Sequence, residues 1–238
     1  MDIWGHNMET ANKIIIITGA SQGIGLAAAR LLSARGGKVV LAARSADVID
    51  ALQKELPNSL AVTTDMRKPR DIVNLVNKTI ERFGRIDILI NNAGQGMSGP
   101  VENIDIEEYK SLMELNVYGV LRAMQAVIGP MRAQGGGMIL NVSSGVTKRY
   151  IPDIAAYSST KYALNALSLI ARQELAKDNI VVSVVHPRMT ASNFFQNMVG
   201  GPPDFGSREL PPMDSSEKVA AKIAELIESG EAELEINT

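Results

Sequence analysis

The chain has 238 residues, 45% of them apolar, with 24 basic against 26 acidic side chains and a formal charge of −2. A chain this long buries roughly 70% of its extended surface on folding, so it needs no staples. The absence of cysteine excludes disulfides, thiolate metal sites and a thiol nucleophile, and the charge balance argues against electrostatic capture of nucleic acid.

Residues 1–12 are polar and lack the apolar stretch of a signal peptide, so they are expected to be an extension ahead of a single domain covering 13–238. No apolar run reaches the ~18 residues of a membrane span, and the expected location is the cytoplasm. His6 and His186, the two histidines, are too few for a histidine-rich metal site or a ready Ser-His-Asp triad.

Short β-branched runs then alternate with segments of helical period. Ile14 to Ile17 reads as a strand buried on both faces, followed by a glycine turn and a helix face at Ile24, Ala27, Ala28, Leu31 and Leu32. Gly36-Gly37 stops that helix. Lys38 to Ala42 predicts the second strand and Leu60 to Thr63 the third. Ile72, Leu75, Val76, Ile80 and Phe83 make another apolar helix face before a fourth strand at Ile86 to Ile90. One long helix is expected over Ile106 to Met131, bounded by Pro130 and three glycines, then a fifth strand at Met138 to Val142. A helix over Ala155 to Ala176, a sixth strand at Ile180 to Val185, a last helix around Val219 to Ile227 and an edge strand at Glu233 to Ile236 complete the order. Strict alternation of this kind predicts an α/β fold with a doubly wound parallel sheet, Rossmann-like, and helices on both faces. Residues 188–214, rich in proline and glycine, read as a lid or substrate loop.

The first turn, Thr18-Gly19-Ala20-Ser21-Gln22-Gly23-Ile24-Gly25, lies between a bare strand and an amphipathic helix. Glycines there make room for the tight turn and let backbone N–H groups approach a pyrophosphate. Gly19, Ser21, Gln22, Gly23, Ile24 and Gly25 are therefore candidate cofactor contacts. The second strand ends Ala43-Arg44-Ser45, where an NAD-binding chain of this topology carries an acid. Arg44 can instead fork onto a 2′-phosphate with Ser45 as an extra donor, which points to NADP(H) over NAD. Asp65, followed by Met66 after the third strand, suits the adenine edge.

Tyr157 and Lys161 are one helical turn apart, and Ser144 lies thirteen residues before Tyr157 at the end of the fifth strand. Ser143 competes for the same role, although neighbouring strand residues face opposite ways. With the glycine turn, Asn91-Asn92-Ala93-Gly94, Asn116, Ser144 and Tyr157-x3-Lys161, the chain from about Lys13 to Pro187 resembles the short-chain dehydrogenase/reductase family, in its short single-domain subgroup. The resemblance implies that Tyr157 is the general acid, Lys161 its cationic partner and a ribose ligand, and Ser144 the hydrogen-bond donor to the substrate oxygen. Lys161, with the charge of oxidised nicotinamide, is expected to favour the Tyr157 phenolate. Asn116 resembles the asparagine that binds a water leading protons to the lysine. Asn92, Ala93 and Gly94 are expected along the adenosine ribose and diphosphate path, while Asn91 is expected to serve the sheet.

After the sixth strand the family usually has Pro-Gly, a Val or Ile, then Thr; here Pro187 is followed by Arg188, Met189, Thr190, Ala191 and Ser192. Arg188 puts the local backbone in question, and Thr190 and Ser192 are equal candidates for a cofactor contact. His186 reads as structural. Met189 to Met213 carries Phe194, Phe195, Met198, Val199 and Phe205, an apolar cover suited to a hydrophobic carbonyl or alcohol. Met97, Val146, Tyr150 and Ile151 are further wall candidates. The resemblance also implies homodimers or homotetramers built on the helix at 155–176 and the long one before it. The expected activity is NADPH-linked reduction of a ketone or aldehyde. Two rivals are a silent NADP-binding sensor or scaffold and an NAD-dependent epimerase or dehydratase.

Overall fold

The computed structural model describes residues 9–203 and 212–236. His6, Phe205, Gly206 and Pro211 fall outside them. Among the described residues, β1 (Ile14–Thr18), β2 (Lys38–Ala43), β3 (Leu60–Thr63), β4 (Ile88–Asn91), β5 (Gly137–Val142), β6 (Ile180–His186) and β9 (Glu233–Glu235) form one sheet in the order β3-β2-β1-β4-β5-β6-β9. Every pairing in it is parallel. The short strands β7 (Thr190–Ala191) and β8 (Asp214–Ser215) pair separately. The sheet is that of the expected Rossmann-like α/β fold.

Period-two alternation divides β1 between two cores. Ile15 and Ile17 pack with α1 (Gly23–Ala34), α2 (Ala46–Glu55) and α7 (Ser216–Ser229); Ile14 and Ile16 pack with α3 (Pro69–Phe83), α5 (Gly119–Ala133) and α6 (Ala155–Leu175). That division explains the unbroken isoleucine run, because each face of the strand is covered. Local chemistry sets several helix ends. Pro69 opens α3, and Gly84, at φ +76°, closes it in the left-handed region that a side chain disfavours. Ser215 caps α7 by accepting from the Lys218 N–H at 3.1 Å.

The long helix departs from expectation twice. Asp105 caps α4 (Ile106–Met113), and a π turn at Glu114–Tyr118 separates it from α5. Pro130 lies inside α5 rather than ending it, since its carbonyl still accepts from the Gln134 N–H at 3.2 Å and carries the helix to Ala133. The fourth strand also starts two residues later than the sequence suggests, because the Ile86 N–H donates to the Gln134 side chain instead of to the sheet. Several polar side chains of the interior pair with one another. Asn91 donates to Asn141 at 2.9 Å and Asn141 to Ser168 at 2.8 Å, which ties β4, β5 and α6 together and gives Asn91 its expected place in the sheet.

Gly119, at the start of α5, brings that helix against the loop after β3: a Cβ there would collide with the Met66 carbonyl. Helix propensity alone makes Gly119→Ala stabilising by about 1 kcal/mol. The contact reverses the sign, and urea denaturation of Gly119→Ala should show a loss of about 1–3 kcal/mol.

Candidate active site

All the long strands run parallel, so their carboxyl ends share one edge, and the residues singled out from sequence gather there. The Thr18 hydroxyl organises the glycine turn. It accepts from the N–H groups of Asn92 and Ala93, both at 3.0 Å, while the Asn92 amide donates to the Thr18 carbonyl at 2.9 Å and the Gly19 carbonyl at 3.3 Å. Asn92 is thus a clamp on the turn from the neighbouring strand. A Cβ on Gly19 would lie 2.9 Å from the Ala93 Cα, and one on Gly25 would collide with the Gly19 carbonyl. Helix α1 then opens at Gln22 without a side-chain cap and without an acid in its first turn. A backbone drawn this close, ending on uncapped N–H groups at a positive helix end, fits the pyrophosphate of a dinucleotide.

Around that turn lie the other candidates. Ala43 is buried as the last residue of β2, and Arg44 and Ser45 are exposed beyond it. The Ser45 hydroxyl does not cap α2. Asp65 accepts from the Arg67 N–H at 3.0 Å. Ser192 faces the turn, its Cβ 3.2 Å from where a Gly23 Cβ would be, whereas Thr190 is buried and donates to the Arg188 carbonyl at 3.0 Å. Arg188 is not among the residues with positive φ, so the backbone there does not require the glycine it replaces.

At the other end of the cleft, Ser144 follows β5 and Tyr157 and Lys161 lie on the first turns of α6. The Ser144 hydroxyl lies on the Tyr157 side and accepts from the Val146 N–H at 3.3 Å, and Ser143 turns away to donate to Asn165 at 2.6 Å. Burial pushes the Tyr157 phenol up to about 12, and the nearby Ser144 hydroxyl draws it partly back. Lys161 is lowered to about 8, again by burial, and its ammonium donates to the Val142 carbonyl at 2.9 Å. Its nitrogen stands 5.9 Å from the centre of the Tyr157 ring. The phenolate expected from Lys161 is thus not what the protein groups favour: desolvation of the ring dominates, and the lysine's direct bond goes to the backbone.

Asn116, in the π turn, is fully buried. Its Oδ1 accepts from the Gln95 N–H at 3.0 Å and its amide donates to the Gln95 carbonyl at 2.9 Å and to Thr160 at 3.1 Å. A point beside Gly94 lies 3.4 Å from Asn116 Oδ1 and 3.6 Å from Lys161 Nζ, so the two share one wall. Phe194 packs on Tyr157 with ring centres 5.6 Å apart, and Phe195 meets Phe194 edge-on at 5.9 Å. Met97 and Val199 form a β bridge above this cluster. Tyr150 is almost wholly exposed and stacks on Tyr162, not into the site. His186 is buried between Thr147 and Glu233, 3.3 and 2.9 Å away, in the structural place expected of it.

Sequence reading missed Arg67, Gln95 and Gly96. Arg67 donates to Gln95 at 2.9 Å and to Ser111 at 3.2 Å, and a Cβ on Gly96 would meet Met198 at 2.7 Å and Phe194 at 3.0 Å. The glutamine directly after Asn-Asn-Ala-Gly, between two glycines, was the one visible signal.

The sequence profile of the short-chain dehydrogenases matches residues 13–201. The chain belongs to that family. An uncharacterised oxidoreductase of Staphylococcus haemolyticus is 34% identical over 203 residues, which cover 84% of this chain and 86% of that protein. The 3-ketoacyl-(acyl-carrier-protein) reductase of Brucella melitensis, solved with NADH, superposes with a TM-score of 0.86 at 26% identity over 95% of this chain and 97% of its own. A short-chain dehydrogenase of Burkholderia cenocepacia, solved with NADP, gives 0.84 at 26% identity over 96% and 98%. Among the described residues, no helix is long and apolar enough to cross a membrane.

The Lys161 shift has a stability signature. A buried lysine lowered from 10.5 to about 8 leaves the native state with fewer protons than the unfolded chain between those values, so its contribution becomes more favourable as pH rises through that window. Urea denaturation at pH 7 and pH 9.5 should show wild type gaining on Lys161→Met at the higher pH; a constant difference would refute the assignment.

Proposed function

We propose that the protein is an NADP-dependent oxidoreductase that reduces a ketone or aldehyde on a fairly apolar substrate, or runs the reverse alcohol oxidation. The observation that carries the reading is the buried Tyr157, one turn from Lys161 and beside Ser144, on the same sheet edge as the glycine turn. When bound, the nicotinamide supplies or accepts the hydride. Tyr157, protonated at neutral pH, donates its phenolic proton to the carbonyl oxygen as that oxygen gains charge, and takes it back in the reverse direction. Ser144 hydrogen-bonds the same oxygen and fixes its distance from Tyr157. The Lys161 ammonium offsets the phenolate left behind and holds the nicotinamide ribose. Asn116 orients a water that returns a proton toward Lys161.

The cofactor set is the turn residues Gly19, Ser21, Gln22, Gly23, Ile24 and Gly25, with Asp65 and Met66 at the adenine. Asn92, Ala93 and Gly94 line the path from there, and Pro187, Thr190 and Ser192 lie toward the nicotinamide. Of the last two, Ser192 is favoured by its contact with Gly23. Arg44 and Ser45 take the 2′-phosphate, since no carboxylate stands at Ala43 to repel it. The Burkholderia relative with NADP fits this preference, and the Brucella relative with NADH makes it worth testing directly. The segment from Met189 to Met213 serves as the lid, its Phe194 against Tyr157 matching an apolar substrate and excluding water from the reaction. A cytoplasmic homodimer or homotetramer acting on a small-molecule carbonyl or alcohol, with no nucleic-acid or membrane partner, completes the reading.

Tyr157→Phe should retain NADPH binding within a few-fold while kcat falls about 10²–10⁴-fold on any carbonyl that wild type reduces. Turnover equal to wild type would remove the proton-transfer role. Arg44→Ala should weaken NADPH about tenfold and NADH less than about twofold in fluorescence titrations. Equal losses would return the coenzyme preference to NAD.

A further inference from the structure

Gln95 sits where the adenosine side of the cleft meets the segment above Tyr157, and the reaction proposed above makes no use of its side chain. Its backbone is held on both sides by Asn116, which accepts from its N–H and donates to its carbonyl. Its side chain bridges two further elements. The Arg67 guanidinium donates to Oε1 at 2.9 Å, and Nε2 donates to the Asn197 carbonyl at 3.0 Å. One amide orientation alone serves both partners, because a guanidinium can only donate and a carbonyl can only accept.

The two ends of the bridge are the parts that matter for access to Tyr157. Asn197 lies between Phe194, packed on the tyrosine ring, and Val199, whose N–H donates to the Gly96 carbonyl at 3.0 Å and whose carbonyl accepts from the Ser98 N–H at 2.9 Å. Ser98 adds a side-chain bond to the Gly201 carbonyl at 2.7 Å. Arg67 is drawn toward Asp65, 4.0 Å away, and is anchored on Ser111 of α4. Its guanidinium is lowered first by burial and also by the charge of Arg44, which marks it as a neighbour of the proposed phosphate clamp.

We propose that Gln95 is a positioning residue, a latch that seats residues 194–201 over Tyr157, with Arg67 holding its amide in the donating orientation. The proposal rests on the reading of the cleft as the reaction site. Both side-chain bonds of Gln95 are partly open to solvent, so each is of modest strength and can break and re-form while the Asn116 bonds keep the backbone in place. An acceptor-only side chain at position 95 would keep Arg67 and face the Asn197 carbonyl with a second acceptor.

The test is amide hydrogen exchange on the full chain for wild type, Gln95→Glu, Gln95→Met and Arg67→Met, together with their thermal midpoints. The latch predicts exchange roughly fivefold faster at Ser98 and Val199 in all three variants, the change one ordinary hydrogen bond produces. Sheet amides and the thermal midpoint of Gln95→Glu should stay at wild-type values. Unchanged exchange at Ser98 and Val199 in the Gln95 variants overturns the proposal, as does acceleration spread through the sheet with a lowered midpoint. Unchanged exchange in Arg67→Met alone overturns the orienting role of Arg67. Titration with NADPH adds a spectroscopic readout: Gln95→Glu should bind it within twofold of wild type, with the bound emission maximum moved toward that of free NADPH by water reaching the nicotinamide. Failure of wild type to bind NADPH would count against the coenzyme reading, and the exchange rates, measured without NADPH, would still decide the latch.

Discussion

Burial of both faces of the parallel sheet is the constraint from which the remainder follows. Strands covered on two sides favour apolar side chains, as Ile14 to Ile17 and Val182 to Val185 show, and Ser183 among them donates to the Glu231 carbonyl. The groups needed for chemistry are displaced to where the strands end, and parallel pairing puts those ends on one edge. Thr18 ends β1, Asn92 and Pro187 directly follow β4 and β6, and Ser144 comes two residues after β5. The site is the boundary of the core, held by the same packing that stabilises the fold.

Desolvation then governs the electrostatics there. Tyr157 and Lys161 are both buried, and in both burial shifts the balance toward the neutral form, the phenol by a rise to about 12 and the ammonium by a fall to about 8. Reading the pair as a charge-charge interaction alone misses this: one Lys161 N–H goes to the Val142 carbonyl, and the nitrogen lies over the Tyr157 ring, 5.9 Å from its centre. Phe194 packs against the ring, with centres 5.6 Å apart.

The π turn at Glu114–Tyr118 has a comparable effect on geometry. It places Asn116 where its amide joins Gln95 on the loop after β4 to Thr160 on α6, so three elements of the wall are fixed by one side chain. Gly119 immediately follows, admitting the Met66 carbonyl against the helix and drawing the loop after β3 to the same wall. Arg67 and Gln95 meet because of that approach.

The order of strands and helices, the double-sided core, the glycine turn and the Tyr157, Lys161 and Ser144 set were legible from sequence, because period-two and period-3.6 patterns and short spacings are local properties of the chain. The expectation of Ser144 over Ser143 came from its thirteen-residue spacing to Tyr157, and the Ser143 hydroxyl does turn to Asn165. The course of the chain at Pro130, the π turn, the preference of Ser192 over Thr190 for the glycine turn and the bridge through Gln95 were decided by tertiary structure. Each depends on which acceptor or donor from a distant segment is within reach: Asn197 is 102 residues from Gln95, and Gly23 meets Ser192 only after the chain has crossed the sheet. The direction of the Tyr157 and Lys161 shifts belongs with these, because desolvation is a property of everything packed around a group and cannot be read from its neighbours in sequence.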